Sequence, residues 1–218
     1  MWSSDSPIVI PKHIAIIPDG NRRFLSKTGG ILYTKSGEVL QNIVDWSLEK
    51  GVQELSIFAW SSENWSRPRS EITRAMEEFA KVLTHWLEKE QNEIAYYFIS
   101  TSPMKLNSTI REKMQALNQQ TRANTKLIVY IYVSYGFSED VQRPQLSQFK
   151  LSSAVPSFAS NPDLLIRTSG EHRLSNFCMW HLAYTELLFI DPLFPECDST
   201  TWNFCAAEYS RRKRRFGK

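Results

Sequence analysis

The chain has 218 residues, 42% hydrophobic and 12% aromatic, enough for one domain with a sizeable core. Charged residues make up 22% and the formal net charge is only +3, so no bulk field points to nucleic acid as a partner. No apolar run is long enough to span a bilayer, and Met1-Trp2-Ser3-Ser4-Asp5 lacks the basic-then-apolar pattern of a signal peptide. Cys178, Cys197 and Cys205 are odd in number and lack metal-ligand spacing, which reads as reduced structural thiols in a cytoplasmic protein.

In chain order, Ile14 to Pro18 reads as a short buried strand, broken by Asp19-Gly20-Asn21. Residues 37–50 carry Val39, Leu40, Ile43, Val44 and Leu48 in helical spacing, with Gly51 as the stop. Glu54 to Trp60 is a second strand. Ser70 and Glu71 open a long amphipathic helix to about Asn92, its inner face Ile72, Met76, Phe79, Val82, Leu83, Trp86 and Leu87. Ala95 to Ile99 is a third strand, Ser108 to Ala123 a helix and Leu127 to Val133 a fourth strand. Gly136 to Asn161, rich in Ser, Pro and Gln, reads as an irregular connection. Leu164 to Arg167 and Glu186 to Ile190 complete six strands, and Thr200 to Arg212 is a last helix. Strands alternating with helices imply an α/β fold around a mostly parallel sheet. The basic run Arg211 to Arg215 reads, on composition alone, as a solvated end.

Three polar constellations fall beyond strand carboxyl ends, where open parallel sheets bind ligands. In Asp19-Gly20-Asn21-Arg22-Arg23, glycine permits close backbone approach, Arg23 can grip a phosphate and Asp19 offers hard oxygen ligands to Mg²⁺. An ordinary Asp-Gly turn with solvated arginines accounts for the pentad equally. Ser61 to Pro68 is the second, and a polar loop serving the next helix explains it as well. The third runs from Arg167 to Phe177, with Arg167, Arg173 and Ser175 forming a diphosphate cradle or a loop of ion pairs. His13, His172 and His181 each read as structural or exposed histidines.

Taken together, these segments resemble the cis-prenyltransferase, or undecaprenyl diphosphate synthase, family. Its first motif, His-x-Ala-x-Ile-Met-Asp-Gly-Asn-x-Arg, is matched by His13 to Arg23, with Pro18 at the methionine position. Its Ser-Ser-Glu-Asn-Trp-x-Arg-Pro motif is matched by Ser61 to Pro68. Asp163 to Pro195 matches almost continuously, and Arg215-Phe216-Gly217 matches the terminal Arg-x-Gly.

The resemblance implies a sheet wrapped in helices, a hydrophobic tunnel and a homodimer. It implies a Mg²⁺-dependent enzyme condensing isopentenyl diphosphate with an allylic diphosphate to a Z-configured product of short or medium length. On the matched positions, the allylic diphosphate falls to Gly20, Asn21, Arg22, Arg23 and Arg67, with Trp60 and Trp65 shaping the pocket. Isopentenyl diphosphate falls to Arg167, Arg173 and Ser175, with Arg215 and Gly217 reaching across the dimer. Mg²⁺ falls to Asp19 and to Glu186 of the partner subunit. Asp19 and Asn64 carry the catalytic roles, Asn64 by position rather than as a base. Phe58, Trp86, Tyr97, Tyr130 and Tyr132 are candidates for the tunnel lining, and Phe79 or Trp86 for its floor. A lipid product leaves peripheral contact with a membrane open.

Two segments depart from the family pattern, and the connection after the second is shorter than usual and lacks a clear helix. Tyr33-Thr34-Lys35-Ser36-Gly37 lacks the histidine of the family's Gly-His-x-x-Gly and the arginine before it, with Lys35 as a partial substitute. Ser134-Tyr135-Gly136-Phe137-Ser138 stands where the family has Asn-Tyr-Gly-Gly-Arg. They leave allylic substrate and product length open. Two competing readings stay within the fold: an irregular, lavandulyl-type branching condensation, and a non-catalytic partner subunit. Intact Glu63-Asn64-Trp65 and Glu171-His172-Arg173 argue against the first, and retained Asp19 and Asn64 against the second.

Overall fold

A computed structural model describes residues 7–28, 32–89, 92–142 and 160–214. Its centre is a six-stranded sheet: β1 (His13–Ile17), β2 (Glu54–Ser61), β3 (Ile94–Ile99), β4 (Leu127–Tyr135), β5 (Leu164–Arg167) and β6 (Glu186–Phe189). The strand order is β3-β4-β2-β1-β5-β6, and every neighbouring pair is parallel. Parallel strands covered on both faces read as continuous apolar runs, and β1 (His-Ile-Ala-Ile-Ile) is buried at every position. Alternate residues face opposite ways. Ile14, Ile16, Leu55, Ile57, Val129 and Ile131 join one core cluster, while Ala15, Phe58, Tyr97, Tyr130, Tyr132 and Leu165 join a second.

The first cluster packs under α2 (Leu32–Glu49), α3 (Arg69–Glu88), α4 (Ser108–Thr121) and α6 (Ser199–Ser210). The expected inner face of α3 holds, with Met76, Leu83 and Trp86 buried and Ile72, Phe79, Val82 and Leu87 packed against the cluster. The chain leaves α2 through Gly51 at φ +75°, a conformation that favours glycine. Asn107 caps α4, accepting from the Ile110 N–H at 2.8 Å.

Three local expectations need correction. A helix, α1 (Asn21–Thr28), starts where the sequence reads as a strand break, because Gly20 at φ +99° turns the chain directly into a helical turn. Helix α2 begins at Leu32 rather than at residue 37, since Gly37 is tolerated inside it. Within the stretch read as irregular, Phe137–Gln142 forms a short helix, α5. Apolar spacing is poor in both α1 and α5, so periodicity had nothing to detect. No described helix is long and apolar enough to cross a membrane.

Candidate active site

Strand β1 lies between β2 and β5, so connections leave it in opposite directions and open a crevice beyond its carboxyl end. Asp19 sits there. Its Oδ2 accepts from Arg167 Nη2 at 2.8 Å and its Oδ1 from the Gly20 N–H at 2.7 Å. The Asp19 N–H donates to Thr168 Oγ1 at 2.8 Å, and that hydroxyl donates to the Asp19 carbonyl at 2.7 Å. Burial alone raises the Asp19 carboxyl. Hydrogen bonds from Arg167 and Gly20, with the charges of Arg167 and Arg23, outweigh it and hold the group below the usual aspartate range. A Cβ on Gly20 would stand 2.8 Å from Leu193 Cδ2, so only glycine fits this turn. The turn feeds the N-terminus of α1, whose free N–H groups favour an anion.

Arg167, at the end of β5, is 2% exposed. Its Nη1 donates to Ser175 Oγ at 2.8 Å and to the Arg173 carbonyl. Its buried Nε has no hydrogen-bond partner among the described residues. Ser175 is held at φ +49° and Asn176 at φ +62°. Arg173 pairs with Glu171, and Arg23 donates to Ser169 Oγ at 2.6 Å while lying 3.4 Å from Glu171. The pentad after β1 and the loop after β5 therefore form one basic rim.

The third wall is the 3₁₀ turn Ser62–Ser66, after β2. Asn64 Oδ1 accepts from the Ser61 N–H at 3.2 Å, so part of its amide is committed to capping the turn. Glu71, in the first turn of α3, pairs with Arg67 at 3.0 Å and lies 3.5 Å from Arg22. Arg67 stands 5.2 Å above the Trp60 ring, and Trp65 meets Trp60 edge-on at 5.7 Å. Trp65 lies behind the site rather than in its wall, its Nε1–H donating to Ser134 Oγ at 2.8 Å.

These walls enclose a cavity of about 880 Å³. Asp19, Gly20, Asn21, Arg22, Arg23, Trp60, Asn64, Arg67, Arg167, Arg173 and Ser175 all line it, so the structure brings together most of the expected residues. Its other end is apolar and runs between α2 and α3, past Leu40, Ala75, Met76, Phe79 and Val82. Phe58 lines it; Trp86, Tyr97, Tyr130 and Tyr132 do not. Trp86 is ordinary core, stacked on Tyr96 at 4.7 Å, because it lies further along α3 than Val82, the last residue of that helix to line the cavity. Lys35 bonds Glu38 at 3.1 Å on the exposed side of α2 and offers no charge to the site. Ser36 lines the cavity instead and donates to Asn21 Oδ1 at 2.8 Å, a contact sequence spacing did not signal.

Glu186 opens β6 at the sheet's opposite end and pairs there with Arg212 at 3.0 Å, so it is not joined to Asp19 within one chain. Arg215 and Gly217 lie outside the described residues. His13 is buried and bonded to Ser56 and the Ser160 carbonyl, His172 packs on Phe189, and His181 contacts Asn161, none in the cavity wall. All three cysteines are buried and free.

No group of three metal-ligating side chains occurs among the described residues. That still suits Mg²⁺, which is commonly held by one or two carboxylates together with phosphate oxygens and water. Asp19 supplies an ionised hard-oxygen donor at the rim, and basic groups that fit a diphosphate surround it.

A family model described as undecaprenyl diphosphate synthase matches residues 17–217. The farnesyl-diphosphate-specific ditrans,polycis-undecaprenyl-diphosphate synthase of Xanthomonas campestris is 34% identical, over 100% of this chain and 92% of its own. An isoprenyl transferase of Aquifex pyrophilus is also 34% identical, over 96% of each. Among solved structures, lavandulyl diphosphate synthase from Lavandula x intermedia, in complex with dimethylallyl diphosphate, superposes with a TM-score of 0.82. It is 26% identical, covering 96% of this chain and 99% of that one. A probable undecaprenyl diphosphate synthase from Campylobacter jejuni superposes at 0.78, with 29% identity over 95% and 99%. The motifs, the parallel sheet and these matches agree: the chain belongs to the undecaprenyl diphosphate synthase family and is a prenyltransferase.

Proposed function

We propose that this prenyltransferase condenses isopentenyl diphosphate with an allylic diphosphate to give a Z-configured prenyl diphosphate of short or medium length. The observation that carries the reading is one cavity with two chemistries: a rim holding Asp19, Arg23, Arg67, Arg167 and Arg173, and an apolar far end between α2 and α3. Diphosphates suit the first and a growing isoprenoid suits the second.

The allylic diphosphate lies against the N-terminus of α1, gripped by Gly20, Asn21, Arg22 and Arg23 with Arg67 above. Isopentenyl diphosphate binds Arg167, Arg173 and Ser175, with Arg215 and Gly217 of the partner subunit completing its site. As the allylic C1–O bond breaks, charge builds on the leaving diphosphate, and these fixed cations and N–H dipoles stabilise it. Asp19, with Glu186 of the partner subunit, would hold Mg²⁺, which would supply neutralising charge to the diphosphates. The isopentenyl double bond attacks C1, and a proton leaves C2 to a diphosphate oxygen, with Asn64 holding the geometry. The Trp60 ring, clamped beneath Arg67, lines the allylic side. The active form is a homodimer in the cytoplasm, and its lipid product brings it to a membrane surface.

The lavandulyl neighbour supports a second reading, an irregular branching condensation. One experiment separates the two. The chain is incubated with Mg²⁺ and isopentenyl diphosphate plus dimethylallyl, geranyl or farnesyl diphosphate, then with dimethylallyl diphosphate alone, and products are identified by mass spectrometry. Linear Z products from the mixtures support elongation. A branched product from dimethylallyl diphosphate alone supports the second reading, and no condensation in any of the incubations rejects both.

A further inference from the structure

Three segments meet beside the cavity mouth: the 3₁₀ turn after β2, the start of α5 after β4 and the loop after β5. One side chain joins them. Asn176 Nδ2 donates to Glu63 Oε1 at 2.8 Å. Its Oδ1 accepts from the Ser138 N–H at 2.8 Å and the Ser138 hydroxyl at 2.9 Å. Its backbone carbonyl accepts from the Phe137 N–H at 2.9 Å. The site has no slack. A Cβ on Gly136 would stand 2.9 Å from Asn176 Nδ2 and 2.4 Å from Ser62 Oγ. The next residue, Phe177, is fully buried and stacks on Phe58 at 4.6 Å, which roots the loop in the core.

The neighbours of this junction matter more than the junction itself. Asn176 directly follows Ser175, which Arg167 holds, and Glu63 directly precedes Asn64. Glu63 is fixed from its other side by hydroxyls of Ser61 and Ser62. Both asparagine and glycine tolerate the left-handed backbone found at Asn176, but glycine carries no amide.

We propose that Asn176 is a positioning residue, a latch that sets the isopentenyl-binding loop against the Glu63-Asn64 turn and so fixes the spacing of the two substrates. It rests on the condensation reading and acts through Ser175 and Asn64 rather than on the reacting atoms. Displacement of about 1 Å between reacting groups costs on the order of 10²-fold in rate, so the effect belongs in kcat.

The test uses Asn176→Gly, which removes the amide without straining the backbone, and Asn176→Asp with and without Glu63→Gln. Asn176→Asp sets two carboxylates together; adding Glu63→Gln restores one donor and one acceptor with their roles exchanged. In steady-state assays with both substrates, Asn176→Gly and Asn176→Asp lower kcat by on the order of 10²-fold, with each KM within about threefold. The pair Glu63→Gln with Asn176→Asp returns kcat to within about tenfold of wild type. Hydrogen exchange at the Ser138 amide, faster in Asn176→Gly, reads the latch independently of activity. Unchanged kcat in Asn176→Gly, a loss confined to the isopentenyl KM, or no rescue by the exchanged pair each overturn the proposal. A wild-type chain that fails to condense the substrates rejects the condensation reading instead, and unchanged Ser138 exchange still rejects the latch.

Discussion

The two faces of the sheet are used differently. On the face made by Phe58, Tyr97, Tyr130, Tyr132 and Leu165, aromatic rings fill the space. Phe58 stacks on Phe177 at 4.6 Å, Tyr132 meets Tyr135 edge-on at 4.9 Å, and a recess there measures about 10 Å³. That volume holds at most a single water. On the other face, α2 and α3 put Gly37, Leu40, Ala75, Phe79 and Val82 toward the sheet, and a cavity of about 880 Å³ stays open. Rings fill one face, while on the other a cavity stays open beside Gly37, Ala75 and aliphatic residues even though Trp60, Phe79 and Phe194 also line it. Aromatic content by itself does not locate a substrate tunnel.

The largest expected effect lies at the mouth of the open face. Asp19→Ala lowers turnover by at least about 10²-fold, about 2.7 kcal/mol of transition-state stabilisation. The fold survives, because Asp19 lies in a turn at the crevice. Steady-state kinetics at saturating Mg²⁺, beside a thermal melt, check this. A change within about threefold, roughly 0.7 kcal/mol, breaks the metal assignment.

Next come two rings on one helix. Trp86 is 0% exposed, stacks on Tyr96 and donates to Gln41 Oε1 at 2.7 Å. Trp86→Ala costs about 3–5 kcal/mol and leaves product length unchanged. Phe79 is partly buried and lines the cavity. Phe79→Ala costs less stability and shifts the distribution toward longer products. Denaturant melts with product chromatography decide it. A longer product from Trp86→Ala, or none from Phe79→Ala, breaks the division of labour between closed core and open cavity.

That pair also marks how far the sequence can be read. All six strands and the stripe on α3 were legible, because burial on a sheet or helix imposes a period on the residue types. The motif residues at strand ends were legible through resemblance, and Asp19, Arg167 and Ser175 do meet. What periodicity cannot carry is which members of one stripe border empty space. Phe79 and Trp86 share a face by spacing, yet one lines the cavity and the other is core. Helix α1 was hidden because none of its residues is buried, and the contact that requires glycine at its entry comes from Leu193, remote in sequence. Asn176 was hidden for the same reason, since its partners Glu63 and Ser138 come from other loops.

A titration sharpens the electrostatic half of the comparison. Burial raises the Asp19 carboxyl, and hydrogen bonds and charges led by Arg167 more than reverse it. A depressed carboxyl contributes stability that is present above its unfolded value, near about pH 4, and is lost as pH falls through the lower folded value. Arg167→Met removes the main opposing partner, so the Asp19 carboxyl climbs and that contribution shrinks or reverses. Carboxyl ¹³C NMR titration of wild type and variant reads the direction. An unmoved or lower Asp19 value in Arg167→Met shows that other groups hold the carboxylate.

The smallest expected effect tests how the cavity is kept open. Gly37 lies inside α2, where glycine is about 1 kcal/mol less favourable than alanine, yet it lines the cavity. A Cβ there would stand 3.1 Å from Val82 Cγ2 on α3. Valine in a helix has one strongly preferred rotamer, so Val82 cannot readily turn aside. Gain in helix propensity and crowding therefore oppose each other, and Gly37→Ala changes stability by less than about 1 kcal/mol in either direction. The added methyl narrows the space between α2 and α3, so products shorten, opposite in sign to Phe79→Ala. Combining Gly37→Ala with Val82→Ala removes the contact and restores the wild-type distribution. Melts and chromatography on the three variants decide it: unchanged lengths in Gly37→Ala, with the protein folded, mean that this helix contact does not set the width of the cavity.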